Sequence, residues 1–313
     1  MKKKILVTGA KGFIGDHWCR KLIDEGHKVD ALDIKRNTNP VNSKNYKYYK
    51  KSVFNFRLLK KLIKKNDIIC HFAGIAEPLQ YLKKPIDVID LTISPSFEII
   101  KLCNKYKKRI IFTSTSEVYG KSDKIPFSEN DDRILGSTQK KRWCYSTAKS
   151  IVEHNILAYS EQKKLNFIIF RLFNVYGSRL YGRVIDNFIK KAKKNEDILI
   201  NGNGKQTRCF LYISDCIEAF YKIIFNNKIK NEIFNIGNDK EIKIIEFARK
   251  IKKMLNSNSR IKINSNQMNK IGGYEDIYRR VPNINKLKKS VKWKPKVSFN
   301  DGLKDIIKIE NNK

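Results

Sequence analysis

The stretch that decides the fold is Lys4–Gly15, which reads KILVTGAKGFIG. A short apolar run ends in closely spaced glycines, and apolar residues at helical spacing follow, which predicts a strand, a tight turn and a helix. The glycines let the backbone approach a pyrophosphate closely, and the helix N-terminus offers it free N–H groups. Because the spacing is G-x-x-G-x-x-G, the prediction depends mainly on the flanking strand and helix. The candidate cofactor-binding residues are Gly9, Gly12, Phe13, Ile14 and Gly15.

A second strand is predicted at 28–33, reading KVDALD and ending in Asp33. This acid follows the glycines by about twenty residues, where a carboxylate can accept hydrogen bonds from an adenosine ribose. Asp33 therefore favours NAD over NADP. Lys35 and Arg36 follow closely and could accept a 2′-phosphate, so the alternative stays open.

Strand and helix patterns continue to alternate. A helical pattern at 56–65 precedes a buried strand at 67–74 (DIICHFAG), a long helical region at 85–106 and a strand at 109–115. This alternation implies an α/β fold, a Rossmann-type doubly wound parallel sheet that binds ligands at the carboxyl ends of its strands. Ala73 lies in a small-residue turn after one of these strands and is a further candidate cofactor contact.

The regular alternation ends with a helix and a strand at 167–172. Beyond this point, segments at 174–179, 201–215 and 271–282 are rich in Gly, Asn, Arg and Tyr, with helices and a short strand between them. We therefore expect an NAD-binding domain at residues 1–172. Residues 173–313 are expected to form mainly a smaller substrate-binding lobe, some segments of which return to the first domain.

The chemistry is predicted at the strand end FTSTSEVYG and at RWCYSTAKS, which contains Tyr145 and Lys149 at Tyr-x-x-x-Lys spacing. If 146–160 is a helix, the two side chains project from one face of its first turns. A lysine ammonium beside a phenol favours the phenolate, which makes Tyr145 a usable base. The remaining catalytic candidates are Thr115, Ser116 and Glu117 at the strand end.

Composition excludes several classes of protein. A hydrophobic content of 41% over 313 residues is enough for a sizeable core, and no apolar run approaches the ~20 residues of a membrane helix. Six cysteines without a C-x-x-C pair or clustering with histidines favour reduced thiols, a cytoplasmic location and no metal site. The net charge of +35 is spread through every segment, which argues against a dedicated nucleic-acid surface.

Together these motifs resemble the NAD-dependent epimerase/dehydratase family, the extended short-chain dehydrogenases that modify nucleotide sugars. The resemblance covers nearly the whole chain, because its segments follow one another in family order. They are TGAKGFIG, DIICHFAG, STSEVYG, YSTAK, RLFNVYGSR, NGNGKQTRCFLYISD, FNIGN and RRVPNINKLKKSVKWKPKVSFNDGL. Three positions depart from the family pattern and put local contacts in doubt: Asp16, Thr92 and Ser178.

The resemblance implies roles for individual residues. Tyr145 would take the proton of the sugar 4-hydroxyl, Lys149 would lower its pKa and hold the nicotinamide ribose, and Thr115 would hydrogen-bond the reacting oxygen. A hydride would pass from C4 to NAD and later return, so that no cofactor is consumed. The resemblance also implies a UDP-sugar substrate bound by Asn174, Arg179, Arg208 and Arg280.

Glu117 is the residue that best distinguishes the possible reactions, because simple 4-epimerases often carry a small or hydroxyl residue there. A carboxylate is similar to the Thr-Ser-Glu arrangement of UDP-glucuronate decarboxylases, which are lyases, and of some 4,6-dehydratases. Arg280 matches an arginine that the decarboxylases place near the sugar, although it or Arg279 could simply bind phosphate. We expect a UDP-glucuronate decarboxylase, with a UDP-sugar 4-epimerase (an isomerase) and then a dehydratase as alternatives. A silent NAD- or RNA-binding member is the non-enzyme alternative.

Family members are commonly dimers through two long helices, here near 85–106 and 146–160. Ile151, Ile156 and Leu157 fit such a face, although a face that packs on the sheet would show the same pattern. We expect a homodimer.

Overall fold

The computed structural model describes residues 2–180, 183–264 and 277–311. Contacts divide the chain into two compact units. The first comprises Met1–Val118, Lys141–Arg171 and Phe220–Phe234, and the second comprises Tyr119–Lys140, Leu172–Ala219 and Asn235–Lys313. Part of the predicted 271–282 segment, residues 271–276, lies outside the described residues.

The chain up to Leu172 alternates strands and helices as the sequence predicts. Several bounds agree with the predicted ones, whereas one strand and one short helix before residue 84 were not predicted. In chain order the elements are β1 (Lys4–Thr8), α1 (Phe13–Asp24), β2 (Lys28–Asp33), β3 (Tyr46–Lys50), α2 (Phe56–Lys65), β4 (Ile68–His71), α3 (Pro78–Lys83), α4 (Pro85–Lys105), β5 (Arg109–Thr115), a 3-10 turn (Ser116–Tyr119), α5 (Trp143–Lys163) and β6 (Phe167–Leu172).

Later elements are shorter and less regular. In chain order they are β7 (Val175–Tyr176), α6 (Val184–Lys193), β8 (Ile198–Asn201), β9 (Thr207–Cys209), β10 (Leu211–Tyr212), α7 (Ile213–Ile224), β11 (Glu232–Ile236), β12 (Glu241–Lys243), α8 (Ile244–Met254), β13 (Ile261–Asn264), α9 (Asn285–Val291) and α10 (Phe299–Asn311). Within the described ranges, no helix is long and apolar enough to cross a membrane.

The central sheet has seven strands in the order β11-β6-β5-β4-β1-β2-β3. The pairs β1–β2, β1–β4, β2–β3 and β4–β5 are parallel. The chain order reverses between β1 and β4, and in doubly wound sheets a ligand binds at such a switch point, outside the carboxyl ends of the strands. The predicted Rossmann-type architecture is therefore confirmed.

Apolar side chains cover both faces of this sheet. On one face, residues of α2, α4 and α5 pack with sheet residues such as Leu6 and Phe112 into a buried cluster. On the other face, Trp18 of α1 lies against Phe220 of α7, which stacks on Phe170 of β6 at 4.2 Å between ring centroids. Full burial of one such side chain contributes about 1.5–3 kcal/mol, so packing on both faces holds the strand ends in register.

Helix α5 begins at Trp143, three residues earlier than the sequence predicts. Trp143 is 2% exposed and anchors the first turn, so Tyr145 lies inside the helix rather than just before it. The predicted dimer face also needs a correction. Ile151 and Leu157 are 43% and 38% exposed, but Ile156 is fully buried in the core of the first unit and does not belong to an exposed face.

The second unit contains small sheets in place of a continuous one. Strands β7 and β10 pair in parallel, as do β8 and β13, whereas β9 and β12 are antiparallel. The aromatic rings of Phe210, Phe247 and Phe299 lie within 5.3–5.4 Å of one another and pack the interior. The strand pairs and the ring contacts bring segments that are distant in sequence beside one another, and no local pattern predicts such contacts.

Candidate active site

The glycine turn between β1 and α1 is shaped by close backbone contacts. Gly9 has a φ of +69°, and a Cβ there would lie 2.7 Å from the Ala73 amide nitrogen. A Cβ on Gly15 would lie 2.1 Å from the Gly9 carbonyl oxygen. Only glycine fits either place. Helix α1 begins at Phe13, so its first-turn N–H groups, which include that of Ile14, surround this cradle and suit a pyrophosphate.

Asp33 ends β2 beside this turn. Its carboxylate accepts hydrogen bonds from the Lys11 amide at 2.8 Å and the Lys35 amide at 3.0 Å. Strand β1 pairs with β2 so that Thr8 lies opposite Leu32, which puts Asp33 one residue further along, level with the glycines. The carboxylate therefore has the location expected of a ribose acceptor.

Asp16, one of the departures from the family pattern, forms ion pairs with Lys11 at 3.1 Å and Arg20 at 3.0 Å. Although burial alone would raise its pKa, these two cations hold the pKa of Asp16 below its usual range. Thr92, the second departure, donates its hydroxyl proton to the Val88 carbonyl of its own helix at 2.6 Å.

The end of β4 is tied to the end of β1. The His71 ring lies 2.7 Å from the Thr8 hydroxyl and 2.9 Å from the Ser96 hydroxyl, and the Ala73 amide donates to Thr8 at 3.3 Å. Burial, with a smaller effect from the charge of Lys149, lowers the pKa of His71 to about 3. His71 is thus a neutral packing residue that positions the turn at Ala73.

Lys149 lies at the centre of the predicted catalytic group. Its ammonium donates to the Thr113 carbonyl at 2.8 Å and lies 4.5 Å from the Phe112 ring centroid and 5.9 Å from the Tyr145 ring centroid. A Cβ on Gly74 would lie 3.7 Å from its Nζ, so the turn after β4 runs alongside it. Tertiary packing thus brings the predicted cofactor turn and the predicted Tyr-Lys pair together.

The electrostatics of Lys149 follow from its burial. It is 4% exposed, and burial lowers its pKa to about 8. The negative charge of Glu153, four residues later on α5, acts in the opposite direction. Glu153 is itself paired with Arg171 of β6, whose Nη2 lies 2.7 Å from the carboxylate. The sequence analysis assigned no role to Glu153 or Arg171, although Glu153 repeats the four-residue spacing of Tyr145 and Lys149 on the same helix face.

Tyr145 is stacked rather than solvated. Its ring lies 4.6 Å from that of Tyr81 of α3 with an interplanar angle of 11°, and only 5% of the residue is exposed. Tyr81 was not identified from the sequence, because it belongs to a short helix that the pattern does not predict. Stacking fixes the plane of the phenol and limits the directions from which its oxygen can accept a proton.

Thr115, Ser116 and Glu117 are all buried where β5 passes into the 3-10 turn. The Glu117 amide donates to the Thr115 hydroxyl oxygen at 3.2 Å, so the Thr115 O–H can donate elsewhere. Both Glu117 carboxylate oxygens lie close to Nη2 of Arg142, at 2.9 and 3.1 Å. The sequence motif RWCYSTAKS contains Arg142, but its spacing alone assigned it no role.

All four predicted substrate residues lie in the second unit. Asn174 has a φ of 39° and donates to the Cys209 carbonyl at 3.2 Å. Arg208 donates to the Thr207 carbonyl at 2.7 Å. Arg280 is 6% exposed, and Arg179 has a φ of 70°.

The sequence left open whether Arg280 lies near the sugar or whether it or Arg279 simply binds phosphate. Arg279 forms an ion pair with Glu241 at 2.6 Å on the unit's exposed side. Arg280 is buried, and the segment after it is held by hydrogen bonds of Phe127 with Val281 and Asn283. The two guanidinium groups are therefore distinguished by their surroundings, and Arg280 is the better candidate for a substrate contact.

Residues 5–237 match the family model described as the NAD dependent epimerase/dehydratase family. The chain is 37% identical to the UDP-N-acetyl-alpha-D-glucosaminuronate decarboxylase of Bacillus cytotoxicus over the full length of both proteins. It is also 39% identical to the bifunctional polymyxin resistance protein ArnA of Wigglesworthia glossinidia brevipalpis, with 99% of this chain aligned to 52% of that protein.

A solved structure with the same fold is that of the UDP-glucuronic acid 4-epimerase from Bacillus cereus in complex with UDP-glucuronic acid and NAD. The TM-score is 0.87 at 26% identity, and the superposition covers 98% of this chain and 99% of that one.

Proposed function

The chain belongs to the NAD-dependent epimerase/dehydratase family, and from that premise we propose that it decarboxylates a UDP-linked sugar acid with NAD as cofactor. The observation that carries the proposal is the buried Glu117 carboxylate, which lies two residues after Thr115 at the strand end and is paired with a guanidinium next to the Tyr145 helix. A 4-epimerase needs no such group, because its keto sugar has only to turn and be reduced on its other face.

Cofactor binding is assigned to the first unit. The cradle at Gly9 and Gly15 would hold the pyrophosphate. The Asp33 carboxylate would accept hydrogen bonds from the adenosine ribose hydroxyls, and Lys149 would hold the nicotinamide ribose. When bound there, NAD would supply the acceptor for the C4 hydride of the sugar and the source of the hydride that reduces C4 at the end of the cycle.

Tyr145 takes the proton from the sugar 4-hydroxyl, and the Lys149 ammonium stabilises the phenolate that makes this possible. Once C4 is a carbonyl, the C5–C6 bond breaks and carbon dioxide leaves. The electron pair moves towards the 4-oxygen, where the Thr115 hydroxyl donates a hydrogen bond to the developing charge. Glu117 positions the water that protonates C5, and the hydroxide left behind takes a proton from the solvent. Tyr145 finally returns its proton to the 4-oxygen.

Substrate binding is assigned to residues of the second unit. The forked guanidinium donors of Arg179 and Arg208 suit the diphosphate, and Asn174 contacts the sugar or diphosphate. The buried Arg280 guanidinium suits a C6 carboxylate.

The test is mass spectrometry of the product after the purified protein and NAD are incubated with UDP-glucuronate or UDP-N-acetylglucosaminuronate. We expect a product lighter by one carbon dioxide without net NADH, from at least one of the two. UDP-glucose, which lacks the carboxylate, is the matched control and should not lose mass. An unchanged mass with a new retention time would establish 4-epimerisation instead, the alternative favoured by the Bacillus cereus structure. Loss of water would establish dehydration.

We further propose a cytoplasmic homodimer. Six free thiols support the location, and the exposed Ile86 of α4 with Ile151 and Leu157 of α5 support an interface on these helices. Light scattering of an Ile151→Glu/Leu157→Glu variant should report a monomer. Leu199→Glu, at a similarly exposed apolar position of the second unit, should not change the mass.

A further inference from the structure

Arg142 directly precedes α5 and lies in a buried ion pair with Glu117. Its Nη2 is 2.9 and 3.1 Å from the two carboxylate oxygens, and the two residues are 3% and 7% exposed. The guanidinium carbon also lies 5.7 Å from the Trp143 ring centroid, so packing as well as charge fixes the side chain. Both residues belong to the first unit.

A carboxylate buried to this degree is stable as an anion only beside a positive partner. Removal of this partner would take away the positive charge beside the carboxylate, which would then take up a proton. Arginine suits the task because its planar guanidinium stays charged and keeps its orientation, whereas the lysine ammonium is a flexible point charge.

The pair also joins two elements that carry catalytic candidates. Glu117 follows Thr115 by two residues, and its amide donates to the Thr115 hydroxyl. Arg142, the N-cap residue of α5, has helical backbone angles and precedes Tyr145 by three residues, so the two lie one turn apart at the start of the helix. The ion pair therefore links the end of β5 to the start of the helix that bears the base.

We propose that Arg142 is a positioning residue that holds Glu117 ionised and oriented for the protonation of C5, an inference that rests on the proposed decarboxylation. Arg142 acts through Glu117 and contacts no reacting atom. Its contribution is therefore made in the chemical step and not in the affinity for substrate or cofactor.

The test is a double-mutant cycle with Arg142→Met, Glu117→Gln and the combined variant. Arg142→Met should lower kcat about a hundredfold and leave KM within about threefold. In the Glu117→Gln background the same substitution should change kcat by less than about threefold, because the group it acts through is gone. Arg142→Lys should recover part of the activity. Equal losses in the two backgrounds would overturn the proposal.

A variant with one buried charge removed can fold poorly, whereas the combined variant removes both charges. If Arg142→Met does not fold, the cycle is completed with Arg142→Lys, which keeps a positive charge. Arg109→Lys is the folding control, since Arg109 of the same unit donates to the Ile224 and Ile229 carbonyls. It should keep the wild-type kcat.

A second measurement separates this proposal from the function on which it rests. Infrared spectra of protein with ¹³C-labelled glutamate, taken at neutral pH as the difference from Glu117→Gln, report the ionisation of Glu117 without turnover. We expect a carboxylate band in the wild type and a protonated carboxyl band in Arg142→Met. A carboxylate in both would overturn the positioning role even if decarboxylation is established. The expected bands without any decarboxylation would refute only the proposed function.

Discussion

Two buried Arg–Glu pairs meet helix α5, one just before it and one halfway along it. At its start, Nη2 of Arg142 lies 2.9 and 3.1 Å from the two carboxylate oxygens of Glu117. In its middle, Arg171 of β6 meets Glu153 through both Nε and Nη2, at 2.7–3.2 Å. The first pair includes a carboxylate of the strand end, whereas the second includes one that lies a turn beyond Lys149. Similar chemistry thus appears in two different surroundings.

The difference shows that burial of an ion pair does not by itself reveal its role. The contact of Arg171 through two nitrogens joins a strand to a helix. The negative charge of its partner Glu153 raises the pKa of Lys149, against the effect of burial. The contact of Arg142 leaves the carboxylate next to Thr115, where the proposed reaction occurs. We therefore expect Glu117 and Arg142 to matter mainly for turnover, and Glu153 and Arg171 mainly for stability and for the pH response.

The largest expected effect concerns Tyr145, which lies between the two pairs. Tyr145→Phe should lower kcat by about a thousandfold or more, because it removes the proposed base and keeps the stacked ring. Calorimetric titration with NAD should show nearly unchanged affinity, and thermal melting should show a folded protein. A near-normal rate would exclude Tyr145 as the base. The roles expected of the two ion pairs, which are argued from their location beside Tyr145, would then no longer follow.

The next effect concerns stability. Arg171→Met should lower the free energy of unfolding by about 3–5 kcal/mol, because it leaves Glu153 as an unpaired buried charge. Urea denaturation followed by circular dichroism measures this change. A Glu153→Met/Arg171→Met variant, in which both charges are absent, should regain most of the lost stability. If the double variant is as unstable as the single one, the loss comes from packing and not from charge.

A direct comparison of the two carboxylates follows. Glu117→Gln should lower the rate of carbon dioxide release about a hundredfold, whereas Glu153→Gln should lower it at pH 7 by less than about tenfold. Product assays at saturating substrate measure both rates under the same conditions. Equal losses would mean that the strand-end location of Glu117 has no special importance.

The smallest expected effect is a shift in pH dependence. The pKa of Lys149 is about 8, lowered by burial and opposed by Glu153, so its ammonium is present below that pH and lost above it. The support for the Tyr145 phenolate disappears with it, and kcat/KM should fall above about pH 8. Glu153→Gln removes a nearby negative charge and should move this decline to lower pH. Glu117→Gln should leave it unchanged, and Lys149→Arg should abolish it, because arginine stays charged.

Most of the sheet could be predicted, because strands and helices of this fold leave local signals. The strand at Arg109–Thr115 and the helix at Phe56–Lys65 have the predicted bounds. Strand β3 was not located from the sequence, because Tyr46–Lys50 contains only exposed and half-buried residues at the edge of the sheet and lacks an apolar run. The exposed apolar residues of α5 were predicted only in part, since helical spacing does not tell whether Ile156 faces the core or solvent.

The sequence by itself determined the glycine turn, the acid at the end of the second strand, and the Tyr-x-x-x-Lys pair on one helix face. Each depends on residues within a few positions of one another, and backbone geometry converts such spacing directly into proximity. Only the tertiary structure decided which charges meet in the interior. Arg142 reaches Glu117 across 25 residues, and Arg171 reaches Glu153 across 18. These two pairings and the burial that lowers the pKa of Lys149 depend on how the whole unit packs, so no local pattern encoded them.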